Sequence, residues 1–417
     1  MAASNFHKRV DRENTETGGS EASVGTAETR PNGEEHGQRV TRPAHPGAEY
    51  SREDFHHSPL LVFYEVTRAC DLVCQHCRAS AMPRPAPGQL TPEQSAALLE
   101  DLARFPKPPM VILTGGDPMK RPDLLELIRH GTRCGLRMAV TPSPTPLMNA
   151  SAVAQMKEAG ACGFGVSLDG ATAQTHDAFR GIAGSRDLSL AMIQWAGDVC
   201  LPVQVNTTVL QSNLDELEQM ADQLEGLPVQ MWSVFFLVPV GRARHAGRIS
   251  ARQYERVFEL LYRESRRRPY AVKSTEAPHY RRYVLQQMGL APHSPPQMLY
   301  GLSRRAPVGT NDGRGVMFVS HTGEIFPSGF LPLPCGTFPQ DSPVDVYQHH
   351  ELFLRLRDAD QLRGKCGVCE YREVCGGSRA RAFAVYGDAL AAEPDCVYVP
   401  EPWKQTIRKR HPEAPSS

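Results

Sequence analysis

The chain has 417 residues, long enough for two or three domains around a large core. Lys plus Arg and Asp plus Glu both number 46, so bulk charge draws it neither to nucleic acid nor to an anionic membrane. No apolar h-region follows Met1 and no apolar run approaches membrane-spanning length, so a soluble, cytoplasmic protein with no nucleic-acid and no membrane partner is expected.

Residues 1–48 are rich in Gly, Glu, Ser, Thr, Asn and Arg and poor in large apolar residues, which predicts a disordered tail. An apolar β-type run at 60–66 leads directly into Cys70-x3-Cys74-x2-Cys77. Thr91-Pro92-Glu93-Gln94 then opens a helix, with Thr91 as N-cap, Pro92 in the first turn and Gln94 closing a capping box. Further strand signals lie at 110–113, 137–140, 164–168, 203–209 and 231–238, with helix patterns at 122–130, 151–159, 189–199 and 214–224. Six βα repeats imply an α/β fold with a parallel sheet, wound as part of a TIM-like barrel; a doubly wound sheet is the rival. Residues 246–300 read as a mainly helical, basic connector. A hairpin follows at 316–326, turning at Thr322-Gly323, and 401–417 is a charged tail.

Parallel βα architectures gather function on the loops after the strand C-termini. The three-cysteine loop occupies that position after the first strand. Gly115-Gly116-Asp117-Pro118 follows the second strand, Ser167-Leu168-Asp169-Gly170 ends the fourth, and Asn206 lies late in the fifth. Three thiolates on one loop can hold three irons of a [4Fe–4S] cube and leave the fourth open to a non-protein ligand. The competing reading is zinc, with His76 completing the set. Near the C-terminus, Cys366-x2-Cys369-x5-Cys375-x20-Cys396 supplies four thiolates, enough to close a second cluster completely or to hold a structural zinc. Of the scattered cysteines, Cys162 and Cys200 flank apolar segments and are read as small buried residues.

These motifs, in this order, resemble the radical S-adenosylmethionine (SAM) superfamily over residues 58–245. The resemblance implies a partial (β/α)6 barrel, with Cys70, Cys74 and Cys77 ligating a [4Fe–4S] cluster whose open iron binds SAM. Reductive cleavage of SAM then releases a 5′-deoxyadenosyl radical that abstracts hydrogen from substrate. Gly115, Gly116 and Asp117 would contact the methionine ammonium, although relatives usually carry Glu at the third position. Ser167, Asp169 and Asn206 are candidates for the ribose and carboxylate of SAM, with ordinary turn chemistry as the alternative. Residues 301–400 resemble a SPASM or twitch domain, which implies a second, auxiliary [4Fe–4S] cluster on Cys366, Cys369, Cys375 and Cys396. The runs 275–282 and 366–381 are most similar to the haem and d1-type haem branch. Relatives often have Cys where this chain has Ser328 and Ser378, so one auxiliary cluster is expected, with Cys335 an extra candidate ligand.

A tetrapyrrole substrate is the expectation that follows. Arg281, Arg282, Arg304 and Arg305 would clamp propionates, with Tyr280 or Tyr283 against the macrocycle. A ferredoxin or flavodoxin would donate electrons. The alternatives are radical modification of a ribosomally made peptide and, from another class, a zinc-stabilised binding protein without catalysis.

Overall fold

The structure, a computed structural model, describes residues 50–292 and 309–410, all within the compact unit Ala44–Ser417. The predicted tail and the pair Arg304 and Arg305 lie outside the described residues.

The six expected strands form: β1 (Leu61–Thr67), β2 (Met110–Gly115), β3 (Arg137–Val140), β4 (Gly163–Ser167), β5 (Val203–Val209) and β6 (Val229–Phe236). Four more join the same sheet: β7 (Ala271–Thr275), β8 (Val316–Val319), β9 (Glu324–Phe326) and β10 (Gly336–Thr337). The order is β10-β9-β8-β1-β2-β3-β4-β5-β6-β7, and every pairing from β8 through β7 is parallel. The fold is α/β, a partial TIM-like barrel. The expected hairpin β8–β9 turns at Thr322-Gly323, but β8 also lies parallel to β1 and so continues the barrel wall. β7 was hidden in a stretch that reads as helical because its five residues sit between two basic helices.

Local chemistry accounts for the helix ends. Thr91 accepts from Gln94 N, and the Gln94 side chain returns the bond, so the predicted capping box starts the helix Pro92–Leu102. The helix Ala173–Arg180 went unread in the sequence. Thr172 caps its start, and Gly181 ends it at φ 75°, where a side chain would be strained. Cys200, expected to be buried, is exposed at a turn after the helix Ser185–Asp198; the apolar segments beside it supply the core in its place.

Strand alternation divides the sheet into two faces. Val62, Tyr64, Val66, Val111, Leu113, Met138 and Val140 pack outward into the main core beneath the helices. Leu61, Phe63, Met110, Ile112, Ala139 and Met231 face inward and line a cavity. Glu65 is also inward-facing and buried, and it accepts from Arg78 Nη2 at 2.7 Å and His321 Nδ1 at 3.0 Å. Arg78 lies 4.5 Å from the Phe318 ring centroid. This triad fastens the end of the cysteine loop to β1 and to the C-terminal hairpin.

Burial works against the Glu65 carboxylate, but His321 and Arg78 outweigh it and hold its pKa below the ordinary 4.5. The stability it supplies is therefore present above that value and lost as pH falls through the lower folded value. Glu65→Ala should cost about 3 kcal/mol, because it removes the carboxylate that pairs with the half-buried Arg78 and bonds the buried His321. Urea denaturation at neutral pH checks this, and the deficit against wild type should shrink as pH is lowered below the Glu65 range.

Candidate active site

The cysteine loop is held by the backbone on both flanks. Cys70 N donates to Met82 O at 2.8 Å and Met82 N to Arg68 O at 3.1 Å. Arg242, beyond β6, clasps the loop from the far side: Nε donates to Cys74 O at 2.9 Å, Nη1 to Ala81 O at 3.0 Å and its backbone N to Cys77 O at 3.1 Å. A Cβ on the neighbouring Gly241 would stand 2.3 Å from Arg78 O, so only glycine admits this approach.

The three sulfurs pack together with Leu72 and Ala81, and each meets a polar group. Leu72 N donates to Cys70 Sγ and Ala81 N to Cys77 Sγ, both at 3.4 Å. Arg180 Nη1 reaches Cys74 Sγ at 3.7 Å. Burial pushes the Cys70 thiol pKa up, a cost that binding to a cationic metal centre reverses. His76, the fourth ligand of the zinc reading, packs in a tilted arrangement against Phe179 at 4.3 Å between centroids.

The Gly115-Gly116 turn docks directly on this loop. Gly116 N donates to Thr67 O at 2.8 Å and Asp117 N to Ala69 O at 2.7 Å. A Cβ at Gly115, whose φ is 144°, would lie 2.1 Å from Thr67 O, and one at Gly116 would lie 2.3 Å from Ala69 O. Asp117 is fully buried. Its Oδ1 accepts from Met119 N and Ser143 N at 3.1 and 3.2 Å, and its Oδ2 from Thr145 Oγ1 at 2.8 Å. Burial raises its pKa against these donors. The carboxylate thus orders the loop after β3, and the Gly-Gly backbone forms the surface of the turn. Ser143 closes the circuit, with Oγ donating to Gly116 O at 3.0 Å and standing 3.6 Å from Cys70 Sγ.

Asp169 is likewise fully buried, paired with Arg180 and accepting from Thr208 N at 2.7 Å. Burial opposes the Arg180 charge, but Asp169 and Cys74 outweigh it and raise the guanidinium pKa. Asp169 N donates to His176 Nδ1 at 3.0 Å, and burial pushes the His176 pKa to about 3, so the ring stays neutral. Asp169 therefore positions Arg180 against the cysteine loop. Ser167 and Asn206 are register partners on β4 and β5. Asn206 lines the inner cavity, where it accepts from Gln204 Nε2 at 2.7 Å. Arg180 and Ser143 were missed in the sequence because neither belongs to a short motif, whereas Arg242 stands in the run Pro239-Val240-Gly241-Arg242 that the sequence places on the same rim after the sixth strand.

The cavity inside the barrel measures about 380 Å³, within the range of small-molecule sites. It runs from Arg78, Thr114 and Asn206 to Asp312, Ser328 and Phe330 of the C-terminal segment. Beyond it, Cys366, Cys369, Cys375 and Cys396 surround one small hollow with His279 and Lys365. Gly377 N donates to Cys375 Sγ at 3.4 Å and Glu393 N to Cys366 Sγ at 3.3 Å. Burial, then the neighbouring Glu370 and the other thiols, pushes the Cys369 pKa up to about 12. Four sulfurs with inward N–H donors suit a cluster. Among the described residues, no group of three or more His, Cys, Asp or Glu converges on a single metal ion.

Other expectations shift. Cys335 sits in the main core, with Sγ 3.5 Å from Leu333 O, away from the four-cysteine hollow. Arg282 is paired with Glu255, and Tyr280 and Tyr283 belong to an aromatic cluster around Phe258. Only Arg281 of that group faces the cavity.

A barrel with three clustered thiols at one rim and a Gly-Gly turn docked on them defines the class: an enzyme that works with SAM and a [4Fe–4S] cluster. Residues 64–224 match the Radical SAM superfamily. The AdoMet-dependent heme synthase of Methanosarcina barkeri is 37% identical over 343 residues, 82% of this chain and 97% of that protein. PqqA peptide cyclase of Rhodopseudomonas palustris matches at 26%, over 82% of this chain and 88% of that protein. Among solved structures, Streptococcus suis SuiB bound to S-adenosylmethionine superposes with a TM-score of 0.62 at 15% identity, covering 82% of this chain and 78% of that one. The chain belongs to the radical SAM superfamily and, within it, to the branch of haem biosynthesis. Membership overturns the reading as a zinc-stabilised protein without catalysis.

Two outcomes follow. Gly116→Ala should slow SAM cleavage about a hundredfold by displacing the loop on the scale of 1 Å, measured as 5′-deoxyadenosine formed per cluster. Arg180→Met should lower the potential of the SAM-binding cluster by about 60 mV, a tenfold change for one electron, because it removes a cation beside Cys74; a redox titration followed by electron paramagnetic resonance reads this.

Proposed function

We propose that this enzyme carries out oxidative decarboxylation of propionate side chains on a tetrapyrrole, in haem-type biosynthesis. The observation that carries this reading is the single cavity shared by the cysteine-loop rim and the C-terminal segment, which lets one substrate face both. The haem synthase relative, matched over nearly its whole length, supports the same substrate class.

Cys70, Cys74 and Cys77 would hold the SAM-binding cluster. Cys366, Cys369, Cys375 and Cys396 would hold an auxiliary one, with the N–H groups of Gly377 and Glu393 tuning it. With SAM bound, the first cluster supplies a 5′-deoxyadenosyl radical for abstraction of one substrate hydrogen atom. The chain's own work is positional. The Gly115-Gly116 backbone allows close approach at the rim, and Ser167 and Asn206 present hydroxyl and amide groups on neighbouring strands. Arg180 fixes charge beside Cys74, and the apolar walls of Leu61, Phe63, Met110 and Ile112 exclude water from the reacting carbon. A ferredoxin or flavodoxin is the proposed electron donor in the cytoplasm. Nothing in the cavity favours a peptide over a compact small molecule.

Anaerobically purified protein should contain about eight irons, the sum of two cubane clusters, and Cys369→Ala about four. Ala at Cys70, Cys74 and Cys77 should abolish SAM cleavage. Incubation with iron coproporphyrin, SAM and a reductant should release carbon dioxide and 5′-deoxyadenosine. Deoxyadenosine without carbon dioxide would overturn the substrate assignment.

A further inference from the structure

One wall of the barrel cavity carries two cations, Lys273 and Arg281, that form no salt bridge among the described residues. Lys273 points inward from β7, whose neighbours Val272 and β6 residue Val234 pack on the opposite face. Its ammonium makes no hydrogen bond and no ion pair among the described residues. Arg281 lines the same wall, and its guanidinium donates only to backbone carbonyls: Val374 O at 3.1 Å and Thr310 O at 2.6 Å. Arg314, near Arg281 but outside the cavity lining, donates to Gly309 O at 2.7 Å and keeps Nη2 buried without a hydrogen-bond partner among the described residues. Arg381 pairs with Glu393, and Arg379 bonds the carbonyls of Ala389 and Ala391 away from the cavity.

Two carboxyl groups share the wall, Glu276 and Asp312. Glu276 has the left-handed φ of 59° and accepts from Ser378 Oγ at 2.6 Å. Asp312 Oδ2 accepts from Ala380 N at 2.9 Å, while Oδ1 is buried without a partner. Neither is ion-paired to Lys273 or Arg281. Burial and the proximity of Asp312 push the Glu276 pKa up to about 8. Burial and the neighbouring Arg281 push Lys273 down to about 8, with the more distant field of Glu276 opposing them but forming no ion pair. Two cations that repel one another across a low-dielectric wall are stabilised by an anion that enters between them.

We propose that Lys273 and Arg281 form a carboxylate-binding subsite in the cavity wall, which takes one acidic side arm of the substrate and so sets how the substrate lies in the barrel. The proposal rests on the tetrapyrrole reading above, in which the substrate carries several propionates. Lys273 is the better handle because it holds no other part of the protein, whereas Arg281 ties the segments around Thr310 and Val374 together. The subsite anchors an arm; it does not take part in breaking a bond.

The test is fluorescence titration of the full, cluster-loaded chain with two probes: coproporphyrin, whose propionates are free, and its fully methyl-esterified form. Lys273→Met should weaken binding of the free acid at least about tenfold, as expected for loss of a desolvated charge pair, and leave the ester unchanged. Lys273→Arg should restore binding of the acid to within about threefold of wild type, since it keeps the charge. Unchanged acid binding in Lys273→Met, or equal loss for acid and ester, would overturn the subsite and leave the tetrapyrrole reading standing. Failure of the wild-type chain to bind either porphyrin would overturn both.

Discussion

The catalytic rim depends on one close backbone contact. The turn after β2 lies on the residues that lead from β1 into the cysteine loop, so near that a methyl group at Gly115 or Gly116 would overlap the carbonyl oxygens of Thr67 or Ala69. Two N–H···O bonds then fix the offset between the loop and the turn. The contact begins at the strand ends, where Thr67 of β1 pairs with Gly115 of β2, and carries that pairing into the loops beyond. Docked together, they place the sulfurs and the Gly-Gly surface at a separation that side-chain packing could not hold as closely.

Around that contact the protein arranges charge in pairs. Glu65 neutralises Arg78 behind the loop, and Asp169 neutralises Arg180 beside Cys74. A buried ion pair contributes little net stability compared with apolar packing, so its value here is orientation. Asp169 has a carboxylate locked by Arg180 and Thr208 N and a backbone N–H held by neutral His176. The arginine it holds is the cation nearest a cluster thiol. Asp117 follows the same pattern, with its carboxylate spent on three donors of the neighbouring loop. Asp117 and Asp169, which the motifs suggest as SAM contacts, also frame the loops around the cysteines.

This explains what was legible in the sequence. The thiols at 70, 74 and 77, the Gly-Gly turn and the alternation of the first six strands are local signals, set by spacing along a few residues. Those elements formed where the pattern placed them. Arg242, 168 residues from Cys74, is marked only by its place after the sixth strand; Arg180 and Ser143 act across separations of 106 and 73 residues from the cysteines they meet, and nothing local marks them. β7 and the parallel pairing of β8 with β1 were missed for the same reason. A five-residue strand is recognisable only once the barrel edge exists to receive it. The arginine–tyrosine run at 280–283 misled by composition. Helical geometry turns Tyr280 and Tyr283 into the aromatic core and leaves Arg281 alone toward the cavity.

The far end of the cavity shows how two missing thiols alter the chemistry available there. Ser378 caps the helix Arg379–Tyr386 and donates to Glu276, and Ser328 Oγ accepts from Phe330 N. Hydroxyls in these places can serve the backbone and a buried acid at once, which soft, weakly hydrogen-bonding thiols do poorly. The wall between the barrel and the four-cysteine hollow is therefore built from hydrogen-bonded oxygen groups, with Lys273 and Arg281 set among them. Such a wall is polar and cationic on the cavity side and sulfur-lined behind.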